Sequence, residues 1–574
     1  MKSTKNPHPF EVSKLINFQF GDPEARNDDV LLNCFQPIKG VREFLNGNKN
    51  IILGERGVGK SALFRLVCDE KCKFAQSKNE TKKQIIIGID DELNYISILN
   101  LVETKFIDKT KTPHSKYRFL WETYIFSRII ESLTHEFGID TELKTLQEDF
   151  GEILGISKEQ KFRLSDIFTL YKYTTGVKFE QNGSVSPNFS IEPAKDAHIK
   201  PTEISYQQLI RFKERVRQAI KARKCIIHVL VDRVDDFVVD LEYEEQKKSV
   251  QALLECTQDL RYPDLKLKIF LRTDLFRRLN FQKGGFDKIS HQVTKLEWSE
   301  NDIYEFVARR LLFNYEQNQI KTPNWQISTE ALDIDPMLYD QERELILKRS
   351  NGFSEKSKWI GMKFLISVKR RLSLFRKKSH SERKINSLDA IFQEIVEYII
   401  PKKIRHTNCN CKYEDISFRL FLTQHFKLGS NHSNPRLVLL FLTKTFENAI
   451  DYYQRNPDKK HIPHNDLNQL ELILKEHITR GYNNLQQTTR ETIIKLNEKW
   501  SSNISNLISN QPKPKSCENL SKNILLELTK WTDDTDEFRR FIAFYSHIGL
   551  LVPDNDLIPF EDRKYSIPTI IRKC

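Results

Sequence analysis

The stretch Gly54-Glu55-Arg56-Gly57-Val58-Gly59-Lys60-Ser61 constrains this chain more than any other. It fits G-x-x-x-x-G-K-[S/T], the Walker A pattern, and its flanks supply the setting that pattern needs. Asn50-Ile51-Ile52-Leu53 reads as a short buried strand, and Ala62 to Cys68 as a helix with apolar spacing. Gly54, Gly57 and Gly59 let the backbone turn tightly and aim N–H groups at phosphate oxygens. The helix N-terminus adds the positive end of its dipole. On that chemistry Lys60 reaches the β- and γ-phosphates and Ser61 ligates Mg²⁺. Gly54, Glu55, Arg56, Gly57, Val58, Gly59, Lys60, Ser61 and Ala62 are the candidate ATP-binding residues.

At 574 residues the chain is too long for one core, and three or four domains are expected. Apolar residues make up 39% and charged residues 29%, which fits a globular chain with a charged surface. The apolar runs, such as Ile226 to Val231, are too short to span a bilayer. The start, Met1-Lys2-Ser3-Thr4-Lys5, has no apolar stretch of the signal-peptide kind. A cytoplasmic location without a membrane partner is therefore expected. Nine scattered cysteines, an odd number, fit a reducing compartment. The net charge of +13 permits contact with nucleic acid, and ordinary solubility charge accounts for it as well.

Residues 1–40 read as a polar N-terminal linker, with one or two short helices between Val30 and Leu45. A nucleotide-binding core is expected over 41–300, with a second buried strand at Gln84–Asp90. The region 92–204 is too long for a simple crossover and reads as an insertion. It holds a helix over Tyr117–Phe137 and, around Asn182-Gly183, the alternation of a β-hairpin near 174–191. The helix Ser205–Arg223 then leads into Cys225-Ile226-Ile227-His228-Val229-Leu230-Val231-Asp232. A buried strand ending in aspartate is the Walker B arrangement, with Asp232 beside Ser61 holding Mg²⁺. The next strand, Leu265–Leu271, ends at Arg272, placed to sense a γ-phosphate.

A helical lid is expected over 301–450, with Asn434-Pro435-Arg436 opening its last helix. Within it lies a basic run, Lys369 to Lys384, either a solvated face or a contact for nucleic acid or an acidic partner. A helical extension over 451–516 ends in a Ser/Asn/Pro-rich linker from Ser501 to Ser516. The last segment, 517–574, has the profile of a winged helix: two helices, Gly549-Leu550-Leu551, then a β-wing. Cys68-x3-Cys72 could pair on a helix face, where Cys is also ordinary core or rim filling, and His406-x2-Cys409-x-Cys411 resembles half of a zinc site with no clear second pair nearby, His425 and His432 being the candidates. The fold class expected is α/β: a P-loop NTPase core with a parallel sheet, then a helical lid and a C-terminal winged-helix domain.

Taken as a series, these pieces resemble the AAA+/STAND superclass, which includes NACHT- and KAP-type and origin-recognition-like ATPases. More narrowly the chain resembles a bacterial P-loop ATPase family often found in phage-defence loci. The matching pieces are Gly21 to Asp28, the Walker A loop and Asp232-Arg233-Val234-Asp235-Asp236. To these add Phe270 to Phe276, Leu296-Glu297-Trp298 and Asn434-Pro435-Arg436. The resemblance implies a sensor role for Arg272 and a second sensor role for Arg436 on the lid. It departs at Arg233, where standard AAA+ proteins carry a catalytic Glu, and the acidic pair Asp235-Asp236 follows the STAND and KAP habit instead. It implies a slowly hydrolysing ATPase that switches a homo-oligomer or a separate effector protein in anti-phage defence. The alternative is a DNA-binding AAA+-type ATPase of the origin-recognition or transposition-regulator kind.

Overall fold

The computed structural model describes residues 12–47, 49–69, 74, 82–90, 113–153, 171–179, 185–193, 206–237, 243–260, 262–277, 279 and 289–320. It further describes 388–407, 413–427, 434–456, 472–511, 520–532, 535–547, 550–553, 562–568 and 570–571. The basic run 369–384, the turn at Asn182-Gly183, and Cys72, Cys409 and Cys411 lie outside these residues. Contacts divide the chain into two compact units. One comprises Glu43–Gly54 and Leu63–Lys295, and the other Met1–Arg42, Glu55–Ala62 and Leu296–Cys574.

The first unit is built on β1 (Ile51–Gly54), β2 (Lys83–Ile89), β5 (Cys225–Val231), β6 (Leu265–Arg272) and β7 (Val293–Lys295). Between β2 and β5, β3 (Tyr171–Phe179) and β4 (Val185–Pro193) pair separately as an antiparallel hairpin. The five strands form one parallel sheet in the order β2-β5-β6-β1-β7. Every residue of β5 is buried, as a central strand covered on both faces requires, whereas edge strand β2 alternates. Because β1 leads away to β2 while β6 and β7 return to either side of it, the chain reverses direction at β1. In open parallel sheets, such a reversal at the carboxyl ends is where ligands bind.

Helices α1 (Lys60–Cys68), α2 (Pro113–Phe137), α3 (Thr141–Ile153), α4 (Tyr206–Ala222) and α5 (Tyr243–Asp259) accompany the sheet. The region expected as an insertion contributes α2 to the core itself. Phe119, Leu120, Trp121, Tyr124, Ile125, Phe126, Ile129 and Ile130 of α2 are all buried in the cluster that includes Cys225, Ile227, Val229 and Val231 of β5. Apolar residues on nearly every side of a helix leave it no solvent face, so it must lie inside. Glu122 goes in with them, between Lys213 at 2.5 Å and Arg118 at 3.3 Å.

In the second unit, α6 (Glu300–Gln317) begins with a reciprocal capping box between Ser299 and Asp302. Residues 12–40 do not behave as a linker. The Arg310 guanidinium is buried on both carboxylate oxygens of Asp28, at 2.6 and 3.0 Å, and on the Phe20 carbonyl. Gly21, at φ 86°, leaves room that Asp28 and Arg310 fill. Phe18 and Phe20 pack on Phe446 of α7 (Pro435–Arg455). A hairpin, β8 (Lys403–Thr407) with β9 (Tyr413–Ser417), interrupts a stretch expected to be helical. Helix α8 (Lys475–Lys495) crosses α7 closely, with Gly481 against Thr445. The Ser501 to Ser516 linker is instead a helix, α9, over Ser501–Ser509. Ile504, Leu507 and Ile508 give it an apolar stripe at helical spacing. Leu520 then bridges to Tyr565, helices Lys522–Thr529 and Asp536–His547 follow, and Val552–Pro553 pairs antiparallel with Tyr565–Ser566.

Candidate phosphate-binding site

The loop after β1 owes its path to two glycines at positive φ, Gly57 at 79° and Gly59 at 101°. Its turn is closed by the Val58 N–H on the Glu55 carbonyl at 3.3 Å. Lys60, the first residue of α1, donates its ammonium to the same carbonyl at 3.0 Å. Ser61 and Ala62 follow in the first helical turn, half-buried, and Arg56 is exposed. Two distant side chains hold the loop carbonyls. The Trp298 indole N–H donates to Val58 at 2.8 Å, and the Asn434 amide donates to Arg56 at 3.3 Å. Neither residue had a role assigned from sequence. The available signal was their position, each directly before a helix start.

Arg436 stands one residue into α7, as its sequence position implies, with Nε on the Pro23 carbonyl at 3.1 Å. Burial, followed by the charge of Arg56, holds its guanidinium below the usual arginine range. The Asn434 side chain caps the same helix by accepting from the Arg436 N–H at 3.0 Å.

In the sheet unit, the carboxyl ends of the strands carry the remaining candidates. Asp232 directly follows β5, is buried, and donates its backbone N–H to the Ile89 carbonyl at 2.9 Å. Arg233 then takes φ 58°, a left-handed turn that is uncommon away from glycine and redirects the chain into the short helix Val234–Phe237. Arg272 ends β6 in register with Gly54 of β1. Its Nη1 meets Asp235 Oδ2 at 3.2 Å, so the structure brings together the two candidates read as sensor and acidic pair. Asp236 lies on the same short helix, and its side chain is outside the described residues. Cys68, at the end of α1, has its thiol pushed up to about 12 by burial, then by the charges of Asp90, Asp69 and Asp232.

Ser61 carries a hydroxyl and Asp232 a carboxylate, each an oxygen donor of the kind Mg²⁺ takes. Among the described residues no group of three or more His, Cys, Asp or Glu side chains is gathered to hold a metal by itself. Likewise, no described helix is long and apolar enough to cross a membrane.

No family model matches the chain. A transposon gamma-delta 80.3 kDa protein of Escherichia coli (strain K12) is 19% identical over 343 residues, 58% of this chain and 43% of that protein. The chain thus spans less than half the length of that relative. Two solved structures from Aeropyrum pernix align along most of the chain. The ORC2 protein in its ADPNP-ADP complexes has 9% identity and TM-score 0.34, covering 95% of this chain and 94% of its own. The ORC1 protein in complex with DNA has 10% identity and TM-score 0.31, covering 94% and 92%. The chain's own loop and strand order define its fold. Those two features make it an α/β chain of P-loop type: a Walker A loop leaving β1, flanked by β6 and β7 in a five-stranded parallel sheet.

Proposed function

We propose that this chain is an AAA+-type ATPase that binds ATP with Mg²⁺, turns it over slowly, and works in association with DNA. The observation that carries the reading is the Walker A loop leaving β1, with Arg272 in register at the tip of β6 and Asp232 at the end of β5. Gly54 to Ala62 form the phosphate cradle. Lys60 contacts the β- and γ-phosphates, while Ser61 and Asp232 hold the metal. Bound there, Mg²⁺ supplies neutralisation of the developing phosphate charge. Asp235 and Asp236 provide the base in place of the Glu that Arg233 displaces. The Arg272–Asp235 pair joins the sensor candidate to one oxygen, Oδ2, of one base candidate. Arg233 standing in the place of that Glu supports slow turnover and a switch rather than a motor. Arg436 is a lid residue beside the loop that holds the segment at Pro23.

DNA association draws support from the transposon-borne relative and from the net charge of +13. The C-terminal order also supports it: helix α9, a single bridge residue at Leu520, two helices and a short antiparallel pair, an order like that of a winged helix. The domain limits read from the sequence, a lid to 450 and a winged helix from 517, remain part of this proposal, as do a cytoplasmic location and homo-oligomerisation. Anti-phage defence through a separate effector gains no support from the comparisons.

The test is ATP turnover of the full chain with and without double-stranded DNA, beside Lys60→Ala, and filter binding to DNA across a salt titration. The expected result is turnover that DNA stimulates and Lys60→Ala abolishes, with affinity falling steeply as salt rises. Absence of DNA binding at low salt would sink the DNA part. ATP binding that Lys60→Ala leaves untouched would sink the whole.

A further inference from the structure

A phosphate cradle works only if its peptide N–H groups point the right way. In this chain, two side chains from distant positions set that direction. Trp298 holds the Val58 carbonyl and Asn434 holds the Arg56 carbonyl. Among the described residues, which include this loop, no peptide bond is cis, so each of its peptide planes carries its N–H opposite its C=O. Fixing the Arg56 carbonyl therefore aims the Gly57 N–H the other way, and fixing the Val58 carbonyl does the same for Gly59. Gly57 and Gly59 have the positive φ angles from which backbone N–H groups build an anion-binding concavity. The fit at Asn434 is tight: a Cβ on Gly57 would lie 2.7 Å from its Oδ1.

Both donors stand at helix starts. Trp298 directly precedes Ser299, the cap of α6, and packs edge-on against Phe306 of that helix with centroids 5.5 Å apart. Asn434 is itself the cap of α7, so one amide group joins the loop to the helix.

We propose that Trp298 and Asn434 are positioning residues through which the starts of α6 and α7 regulate nucleotide affinity. Displacing either helix start frees a loop peptide to rotate and weakens phosphate binding. By linkage, phosphate binding steadies both helix starts. The proposal rests on the reading of this loop as an ATP site and adds to it the element that controls it.

The test uses the full chain. Trp298→Phe keeps the ring and its packing but removes the N–H. Asn434→Ser keeps a good capping oxygen but is too short to reach Arg56. One hydrogen bond each predicts a Kd for ATP raised about threefold to tenfold per variant, and roughly thirtyfold in the double variant, with the ATP-free protein still folded and its Tm lowered by several degrees at most. A second measurement needs no variant: in the wild-type chain, ATP should slow amide exchange in the first turns of α6 and α7. Unchanged affinity in both folded variants, or exchange at both helix starts indifferent to ATP, overturns the proposal. If wild type binds ATP, Lys60→Ala does not, and both variants match wild type, this proposal alone falls. If wild type and Lys60→Ala alike fail to bind, the ATP-site reading falls and takes this one with it.

Discussion

Lys268 is a buried lysine at the centre of the sheet unit, and its charge makes a measurable claim. It is fully buried on β6, with Nζ 2.7 Å from the Lys49 carbonyl and facing the rings of Phe44 and Phe74 at 4.9 and 4.7 Å. Burial, and then Lys266, push its ammonium from the ordinary 10.5 down to about 7. Between those values the unfolded chain holds a proton that the folded chain does not. Stability therefore rises with pH from 7 to 10.5 and is lowest below 7. At about 1.36 kcal/mol per pH unit the window amounts to at most about 5 kcal/mol. Lys268→Met removes the titration and nearly conserves volume. It also leaves the Lys49 carbonyl without this donor, a loss of about 1–3 kcal/mol that does not depend on pH. The stability of the variant relative to wild type should thus fall by about 3–5 kcal/mol between about pH 6.5 and about pH 10.

In a thermal scan followed by circular dichroism, that is a change of roughly 10 °C in the gap between the two Tm values, at about 2–4 °C per kcal/mol. A gap that stays constant over this range would refute the reasoning, because it would mean that the Lys268 ammonium keeps its charge in the folded chain, solvated or ion-paired. His228, stacked on Phe74 with centroids 4.1 Å apart, is pushed down to about 2 by burial, then by Lys268 and Lys266. It stays neutral in the folded chain, so its contribution is lost as pH falls below 6.5, under the range of the assay.

Three further outcomes are expected. Arg310→Met leaves the Asp28 carboxylate buried without its partner and should cost about 3–5 kcal/mol, read as a lowered Tm; Asp28→Leu added to it should recover most of the loss. Trp121→Ala removes a fully buried ring, and its indole donor to the Ser249 carbonyl, from the core. It should destabilise the sheet unit by about 3–5 kcal/mol in denaturant unfolding, and a loss under 1 kcal/mol would place α2 outside the core. Asp235→Asn, at saturating ATP, should lower turnover by more than about tenfold while the Kd for ATP moves less than about threefold; equal turnover would remove Asp235 as the base.

Much of the sheet was legible because its signals are local. The loop pattern, the apolar run of β5 and the Asp at its end depend only on neighbours in sequence, and each appears where it was expected. The hairpin at 403–417 and the helix over Ser501–Ser509 were missed for a related reason. Their apolar residues are few, and polar, cysteine-rich or serine-rich composition masks so short a period. Leu265–Leu271 is legible in the sequence as a strand, with nothing to say where its lysines go. The structure seats Lys268 under Phe44 and Phe74, from segments far earlier in the chain.

Sequence alone determined that this chain has a P-loop followed by strands ending in Asp232 and Arg272, because backbone conformation and the chemistry of phosphate binding are set by residues in contact along the chain. Tertiary structure alone decided what governs that loop. Trp298 and Asn434 lie 240 and 378 positions from the carbonyls they hold, and the Arg310–Asp28 pair closes over a separation of 282. A hydrogen bond of that kind leaves no periodicity in the sequence. It exists only once the helices have packed, and packing is the step that chooses which of many polar side chains meets which carbonyl.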